Sequence, residues 1–291
     1  MSTKHPVIAV TGSSGAGTTT VMKSFAHIFR REKINAQVIE GDSYHRFERA
    51  EMRDRVRKAD LGEGPRISHF GPASNLLADL AGTFSEYGQT GQGKVRRYVH
   101  DEIEAKELAS PPGSFTPWAP MDPASDLLFY EGLHGGYVGD AADVARHVDL
   151  LAGVVPIINL EWIQKLHRDQ NMRGYSQDAV IETILRRMPD YVNHICLQFS
   201  RTHVNFQRVP TVDTSNPFIA KDIPSADESM VVIRFANPKG IDFPYLQSML
   251  HDSWMSRPNN IVAPGGKMGL AMPLIFTPMI LRLMDLKRRI R

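Results

Sequence analysis

Val7-Ile8-Ala9-Val10-Thr11-Gly12-Ser13-Ser14-Gly15-Ala16-Gly17-Thr18-Thr19-Thr20 is the stretch that decides the fold. Val7 to Val10 is a short apolar run rich in β-branched residues, the pattern of a buried strand. Val21, Phe25, Ile28 and Phe29 follow at a spacing that shares one helical face. Strand, glycine-rich turn and helix together form the setting of a phosphate-binding loop. There the glycines let backbone N–H groups and the helix N-terminus converge on an anion. Gly12, Ser13, Ser14, Gly15, Ala16, Gly17, Thr18, Thr19 and Thr20 are the expected nucleotide contacts, with the Thr19 hydroxyl placed to reach a magnesium ion. Thr18 stands where such loops carry lysine, so a cation has to come from elsewhere in the fold. A merely structural turn and a dinucleotide fingerprint are the rival readings. The fingerprint wants a third glycine where Thr20 stands.

The 291 residues suffice for a large α/β core, and the formal charge of +2 does not indicate a general nucleic-acid surface. Cys196 is the single cysteine, so an intramolecular disulfide is impossible and a reducing compartment fits. Met1 to Pro6 shows no apolar leader core. Leu270 to Met284 is apolar but holds Pro273 and Pro278 and runs into Asp285, Lys287, Arg288 and Arg289. It reads as too short and interrupted to span a bilayer, and as a C-terminal helix on the core. The expectation is a soluble, cytoplasmic protein without a membrane partner.

Further along, Val38-Ile39 ends at Glu40-Gly41-Asp42, and Leu127-Leu128-Phe129-Tyr130 ends at Glu131-Gly132. Residues 46–66 read as an exposed helix and loop, and Leu76, Leu77, Leu80 and Phe84 form a helical stripe. Residues 88–123 read as a long irregular excursion, a length that usually signals function or disorder. Val154 to Ile158, Val209 to Val212 and Met230 to Phe235 are strand-like. Helices are expected over Glu161–Met172 and Ser176–Met188, the second with Val180, Ile181, Ile184, Leu185 and Met188 on its apolar stripe. This alternation predicts a mixed, largely parallel sheet with helices on both faces, extended antiparallel near the C-terminus.

Ligands of open α/β sheets gather beyond the carboxyl ends of the strands. Three such ends carry the phosphate loop, Asp42 and Glu131. Glu131 suits magnesium support, and Asp42 suits a base taking the proton of an attacking hydroxyl. His45 and Arg49 are near enough in sequence to bind an anionic acceptor. Singly, each acid also reads as a solvated turn residue. On the helix after Asn159, Lys165, Arg168, Asp169 and Arg173 fall within an arc of roughly 140°. A charged face is most often simply solvated. Here Lys165 or Arg168 is also available to replace the missing loop lysine.

Five segments resemble the phosphoribulokinase family, in its bacterial branch without thiol control. They are Gly12 to Thr18; Glu40-Gly41-Asp42-Ser43-Tyr44-His45-Arg46; Tyr130-Glu131-Gly132-Leu133-His134-Gly135; Asn159 to Lys165 with His167-Arg168-Asp169; and Val212-Asp213-Thr214-Ser215-Asn216-Pro217-Phe218. The resemblance covers essentially the whole chain and implies an α/β fold of P-loop kinase type, one domain over 1–291. It implies transfer of the ATP γ-phosphate to the 1-hydroxyl of D-ribulose 5-phosphate, which supplies the Calvin-cycle carboxylase. Asp42 would be the general base, Lys165 would stabilise transition-state charge and Asp169 would contribute to catalysis. Thr19 and Glu131 would support Mg²⁺. His45, Arg49, His100, Arg168 and Arg173 would hold the sugar phosphate. Arg234 matches a position linked to NADH activation, with assembly as a homo-oligomer, an octamer. Ala16 replaces the loop cysteine of the thiol-regulated branch. A uridine kinase, a regulatory GTPase and a dehydrogenase are the alternatives. The cations near Arg49 and Arg168, the absent Asn-Lys-x-Asp signal and the glycine spacing weigh against them in turn.

Overall fold

A computed structural model describes residues 4–12, 18–155 and 157–290, with side chains for all of these except 18–20, 172, 173 and 290. Among the described residues the main sheet has eight strands: β1 (Val7–Gly12), β2 (Ala36–Glu40), β3 (Leu127–Gly132), β4 (Leu150–Val155), β5 (Val204–Pro210), β6 (Ser229–Phe235), β7 (Trp254–Arg257) and β8 (Asn260–Pro264), in the order β7-β8-β6-β5-β4-β1-β3-β2. β1 is central to the parallel part, with Val10 opposite both Glu131 of β3 and Ala152 of β4. β2 pairs with β3, and β5 with β4, also in parallel. From β5 outward, β6, β8 and β7 pair antiparallel.

Alternation along β1 assigns the two faces. Ile8 and Val10 join Leu127, Phe129, Leu150 and Ala152 beneath α1 (Thr18–Arg31) and α8 (Met268–Ile290). The Phe25 ring lies 4.6 Å from Phe129 and 4.9 Å from Phe276, so one aromatic cluster joins both helices to the sheet. Val7 and Ala9 join Leu128, Tyr130 and Leu151 beneath α3 (Leu77–Thr90), which contributes Leu77, Leu80, Phe84 and Tyr87. The sequence patterns around 21–29 and 77–84 therefore describe helices on opposite faces.

The remaining helices are α2 (Arg49–Asp60), α4 (Glu102–Leu108), α5 (Ile158–Arg173), α6 (Gln177–Asp190) and α7 (Phe243–Met249). The apolar run 154–158 is divided: β4 ends at Val155, and Ile158 opens α5. Apolar periodicity over so short a run does not separate a buried strand from a helix start. The strand expected at Val209 lies earlier, over Val204–Pro210, and Val212 is exposed. On α6, Val180 and Ile184 pack with Leu166, but Leu185 faces solvent. The excursion at 88–123 is built rather than irregular throughout: it holds α4 and a ribbon pairing Lys94–Val95 with Ala119–Pro120.

The C-terminal helix also departs from expectation. It runs unbroken through Pro273 and Pro278, and Gly265–Arg289 is long and apolar enough to cross a membrane by length and composition. Each proline costs about 3 kcal/mol in a helix interior. Burial of Ala271, Met272, Ile275, Phe276, Ile280 and Met284 against the sheet offsets that cost. Lys287 near its end is buried and donates to the Asp126 carbonyl.

Gly153 on β4 shows how closely the switch from strand to α5 is packed. A Cβ there would stand 2.1 Å from Asn205 Oδ1, whose amide is tied to Thr202 and Phe199. Gly153→Ala is expected to destabilise the protein by roughly 2–3 kcal/mol, the upper part of the range for overpacking. Urea unfolding would show it as a lower midpoint at unchanged slope, and an unmoved midpoint would mean that Asn205 yields freely.

Candidate active site

Parallel pairing delivers the ends of β1, β2, β3 and β4 to one edge of the sheet. Two glycines let the chain close up there. A Cβ on Gly41 would lie 2.6 Å from the Tyr130 hydroxyl and 2.8 Å from Gly132 Cα, and a Cβ on Gly132 would lie 2.7 Å from Gly41 Cα. Only glycine permits that approach, which sets the Asp42 turn beside the Glu131 strand end. Behind them Gln198 is buried and fully engaged. Its Oε1 accepts from Thr11 Oγ1 and Gly136 N, both at 2.9 Å, and its Nε2 donates to Leu133 O and His194 O, both at 2.8 Å. A buried amide with both donors and both lone pairs used is a rigid spacer between β1 and the loop after β3.

Asp42 rides on a 3₁₀ turn, Gly41–Tyr44. The turn is tied down on each side. Ser43 Oγ donates to Glu40 O at 2.6 Å, and the Tyr44 hydroxyl donates to Thr83 on α3 at 2.8 Å. Arg96, from the excursion, donates to Ser43 O at 2.8 Å and to His45 O at 2.7 Å. Its guanidinium stacks 3.7 Å from the Phe115 ring and 4.8 Å from Trp118. The result is a carboxylate at the mouth, 43 % exposed, against an imidazole that is only 8 % exposed, with His45 Nε2 3.2 Å from Asp42 Oδ1. Withdrawal from water alone would raise the Asp42 carboxyl. The hydrogen bond and charge of His45, with His100 and His69, outweigh that and hold it well below the usual carboxylate range. Burial pulls His45 down, but its bonds to Asp42 and Asn75 push it above its ordinary value. His69, whose ring lies 4.4 Å from that of His45 and tilted 35° to it, is held neutral by burial and by the positive charges of His45 and Arg187.

The second cluster lies on α5. Lys165 donates to Asp169 Oδ2, and Arg168 Nε donates to Asp169 Oδ1 at 3.0 Å. The Lys165 side chain is only 10 % exposed and that of Asp169 5 %, so this part of the helix face is not solvated. Burial lowers the Lys165 ammonium to about 8, helped by Arg187 and Arg168 and opposed by Asp169. Burial would raise Asp169, but Lys165 and Arg168 hold it ionised and lowered. Arg187, on α6, lies 5.5 Å from the Phe70 ring and bears electrostatically on Lys165, His45 and His69 alike.

The other expected residues fall as follows. Gly12 ends β1, and Ser13 to Gly17 lie outside the described residues, as do the side chains of Thr18, Thr19, Thr20 and Arg173. Glu131 is half-buried at the end of β3. Arg49 opens α2; its guanidinium donates to His100 O at 2.7 Å and lies 5.8 Å from the Tyr98 ring. His100 Nε2 is 4.0 Å from Glu40 Oε2. Asp42, His45, Arg49 and His100 are therefore brought together, as are Lys165, Arg168 and Asp169. Arg234 is not: it is exposed on β6 in the antiparallel wing, opposite Asn205 and Asn260. Among the described residues no group of three or more His, Cys, Asp or Glu is arranged to hold a metal ion. A lone strand-end carboxylate nevertheless fits magnesium, which takes one or two carboxylates and completes its shell with phosphate and water.

Sequence reading passed over Arg96, Asn75, His69, Arg187 and Gln198. The one available signal was Arg96-Arg97 inside a long excursion with Phe115 and Trp118, aromatics that a loop without a docking task has little use for. Arg96→Leu removes two charge-assisted donors, each worth about 1.5–3 kcal/mol, and is expected to raise amide exchange in residues 42–46 by about tenfold or more. Exchange in α1 should not change. Unaltered protection at 42–46 would show that Tyr44 and Ser43 hold the turn without the arginine.

Comparison with known proteins places this geometry. Residues 7–215 match the family described as "Phosphoribulokinase / Uridine kinase family". The chain is 62 % identical over 289 residues to the chromosomal phosphoribulokinase of Cupriavidus necator, covering 99 % of each, and 61 % identical to the phosphoribulokinase of Nitrobacter vulgaris, covering 98 % of this chain and 99 % of the other. Among solved structures it is similar to phosphoribulokinase from Rhodobacter spheroides, with a TM-score of 0.90 and 54 % identity over 98 % of this chain and 99 % of that one. Shared sequence, shared fold and shared length lead to one assignment: the chain belongs to the phosphoribulokinase / uridine kinase family, on its phosphoribulokinase side.

Proposed function

We propose that this chain, acting as one domain over 1–291, transfers the γ-phosphoryl group of ATP to the 1-hydroxyl of D-ribulose 5-phosphate, giving ribulose 1,5-bisphosphate. What supports the reading is that an ionised Asp42 with His45 and Arg49 follows β2, and a buried Lys165–Asp169–Arg168 cluster lies on the helix after β4, both beyond the same ends of the parallel strands. Phosphoryl transfer asks the protein chiefly for positioning and electrostatic stabilisation. Gly12 and the loop through Thr20 would cradle the triphosphate. Thr19 and Glu131 would hold Mg²⁺, which when bound neutralises charge on the phosphate oxygens.

Asp42 would accept the proton of the attacking hydroxyl. Its lowered pKa makes it a weak base, yet one that is ionised at any working pH. In a loose transition state the nucleophile gives up its proton late, so orientation matters more than basicity. Lys165 would meet the moving phosphoryl, and Asp169 would keep that ammonium aimed and charged. His45, Arg49, Arg168, Arg173 and His100 would receive the acceptor's 5-phosphate. We read Arg234 as part of an effector site for NADH, supported by its exposed place in the antiparallel wing, and we read the assembly as a homo-octamer. A cytoplasmic enzyme fits the covering of the apolar face of α8 by the sheet.

The test is ADP release with magnesium ATP against ribulose 5-phosphate, ribulose, uridine and water. Two phosphate contacts at the low end of 1.5 kcal/mol each amount to about 3 kcal/mol, or on the order of a hundredfold in kcat/KM. Ribulose 5-phosphate should exceed ribulose by at least that factor. Arg49→Ala should shrink the gap by harming the phosphorylated sugar alone. Equal use of the two sugars, or a preference for uridine, would overturn the assignment.

A separate outcome concerns the missing lysine. Lys165→Met is expected to lower kcat by about a hundredfold or more while KM for ATP moves only a few-fold, because the charge is assigned to the transition state. A loss confined to KM would make Lys165 an ordinary ground-state contact.

A further inference from the structure

Asn75 is buried in the loop before α3, and its side chain is spoken for on both sides. Its Nδ2 donates to His69 O at 2.9 Å and to Gly71 O at 2.7 Å. Two carbonyl acceptors fix the orientation of the amide, so Oδ1 is the atom turned to His45 Nδ1, 2.9 Å away. An acceptor at that distance requires a proton on Nδ1. On the other side of the ring, Nε2 faces the Asp42 carboxylate at 3.2 Å, a second pure acceptor, which requires a proton there too. Neutral imidazole has one N–H and would leave a lone pair against one of the two oxygens. Backbone pairing between His45 and Asn75, together with Leu76 N donating to Tyr44 O at 2.8 Å, holds the two side chains in this arrangement.

We propose that Asn75 is a positioning residue that holds His45 as the doubly protonated imidazolium near neutral pH, so that a cation, rather than a neutral ring, is presented to the acceptor's phosphate. The consequence for the acceptor rests on the reading of His45 given above; the protonation itself does not. The groups around His45 are mixed in sign. Asp42 on its own turn favours the cation. His69 from the Asn75 loop, Arg187 from α6, His134 from the loop after β3, and His100 and Arg96 from the excursion bring positive or potentially positive charge. Tyr98 offers only a ring edge, at 6.3 Å. His134 is kept neutral, pushed by burial down to about 4, and His69 is likewise neutral, so the standing opposition comes from the arginines. Asp42 and Asn75 together decide the balance. The sign follows: the cation is present at low pH and is lost as pH rises through the raised His45 value, and removing the Asn75 acceptor moves that loss to lower pH.

The experiment uses the whole protein labelled with ¹⁵N-histidine, without substrate, in the parent, Asn75→Leu and Asn75→Asp. The parent should show the paired ring-nitrogen shifts of an imidazolium at pH 7.5. Asn75→Leu should titrate about one unit lower or more, because a hydrogen bond to the charged form is lost, whereas Asn75→Asp, which keeps an acceptor, should titrate no lower than the parent. A neutral His45 in the parent at pH 7.5 overturns the proposal, and this measurement requires no variant to fold. Coincident titrations in parent and Asn75→Leu overturn it as well. In steady-state assays, KM for ribulose 5-phosphate in Asn75→Leu should rise about tenfold at pH 8 and recover toward the parent at pH 6.5, with KM for ATP level throughout. A shifted titration with an unmoved KM would remove His45 from the acceptor site, a failure of that reading that leaves the assignment of the proton intact.

Discussion

Every functional contact described above depends on the parallel pairing of β1 with β3 and β4. Parallel strands end on one edge, so the end of β1, the Asp42 turn, Glu131 and the start of α5 are delivered to one place by register alone. The arrangement tolerates little slack. Gly41 and Gly132 touch almost backbone to backbone, Gln198 fills its four hydrogen bonds between β1 and the loop after β3, and Gly153 leaves no room for a methyl group. An edge closed by main chain, the Tyr130 hydroxyl and a saturated amide is stiff, which suits chemistry in which misplacement by an ångström is costly.

Charge is arranged with the same economy. Thr18 stands where such loops carry lysine, and in the mechanism proposed above the ammonium would come instead from α5, where Asp169 bridges Lys165 and Arg168. A buried ion cluster of this kind is weak evidence for stability, because desolvation opposes the Coulomb gain. In the proposed mechanism its worth would lie in holding an ammonium in a dry setting, where the field it exerts on a phosphoryl group is strong. The Asp42–His45 pair makes the complementary choice, giving up basicity for a fixed direction and a fixed charge.

The elements that were legible in the sequence were those with a period and an end signal. β1 into α1, β3 into Glu131 and the Leu77–Phe84 stripe all read correctly, because burial on one or both faces leaves a pattern that composition cannot imitate. The positions of Asp42, Glu131 and Lys165 in the fold were legible for a related reason, these being polar residues where a strand stops or on one helix face. What escaped was long-range. Arg96 meets the Asp42 turn across fifty residues, and Asn75 meets His45 across thirty. Neither has a local pattern, since a hydrogen bond to a distant carbonyl leaves no periodic trace. Val154 to Ile158 failed for the opposite reason: its pattern was plain but shared by strand and helix.

The division of the core has a consequence for how the two substrates are governed. α1, which leads out of the phosphate loop, rests on the face shared with α8, and Arg31 near its end donates to Thr277 of that helix at 3.0 Å. The Asp42 turn rests on the other face, through Tyr44 and Thr83 of α3. The sheet is thus a partition between the packing that supports α1 and the packing that supports the Asp42 turn. With the sites as proposed above, repacking along α8 would reach the nucleotide first, and repacking along α3 the sugar first. Drift in one half of the core would then retune one Michaelis constant while leaving the other nearly untouched, so a lineage would follow its ATP supply and its sugar-phosphate supply independently.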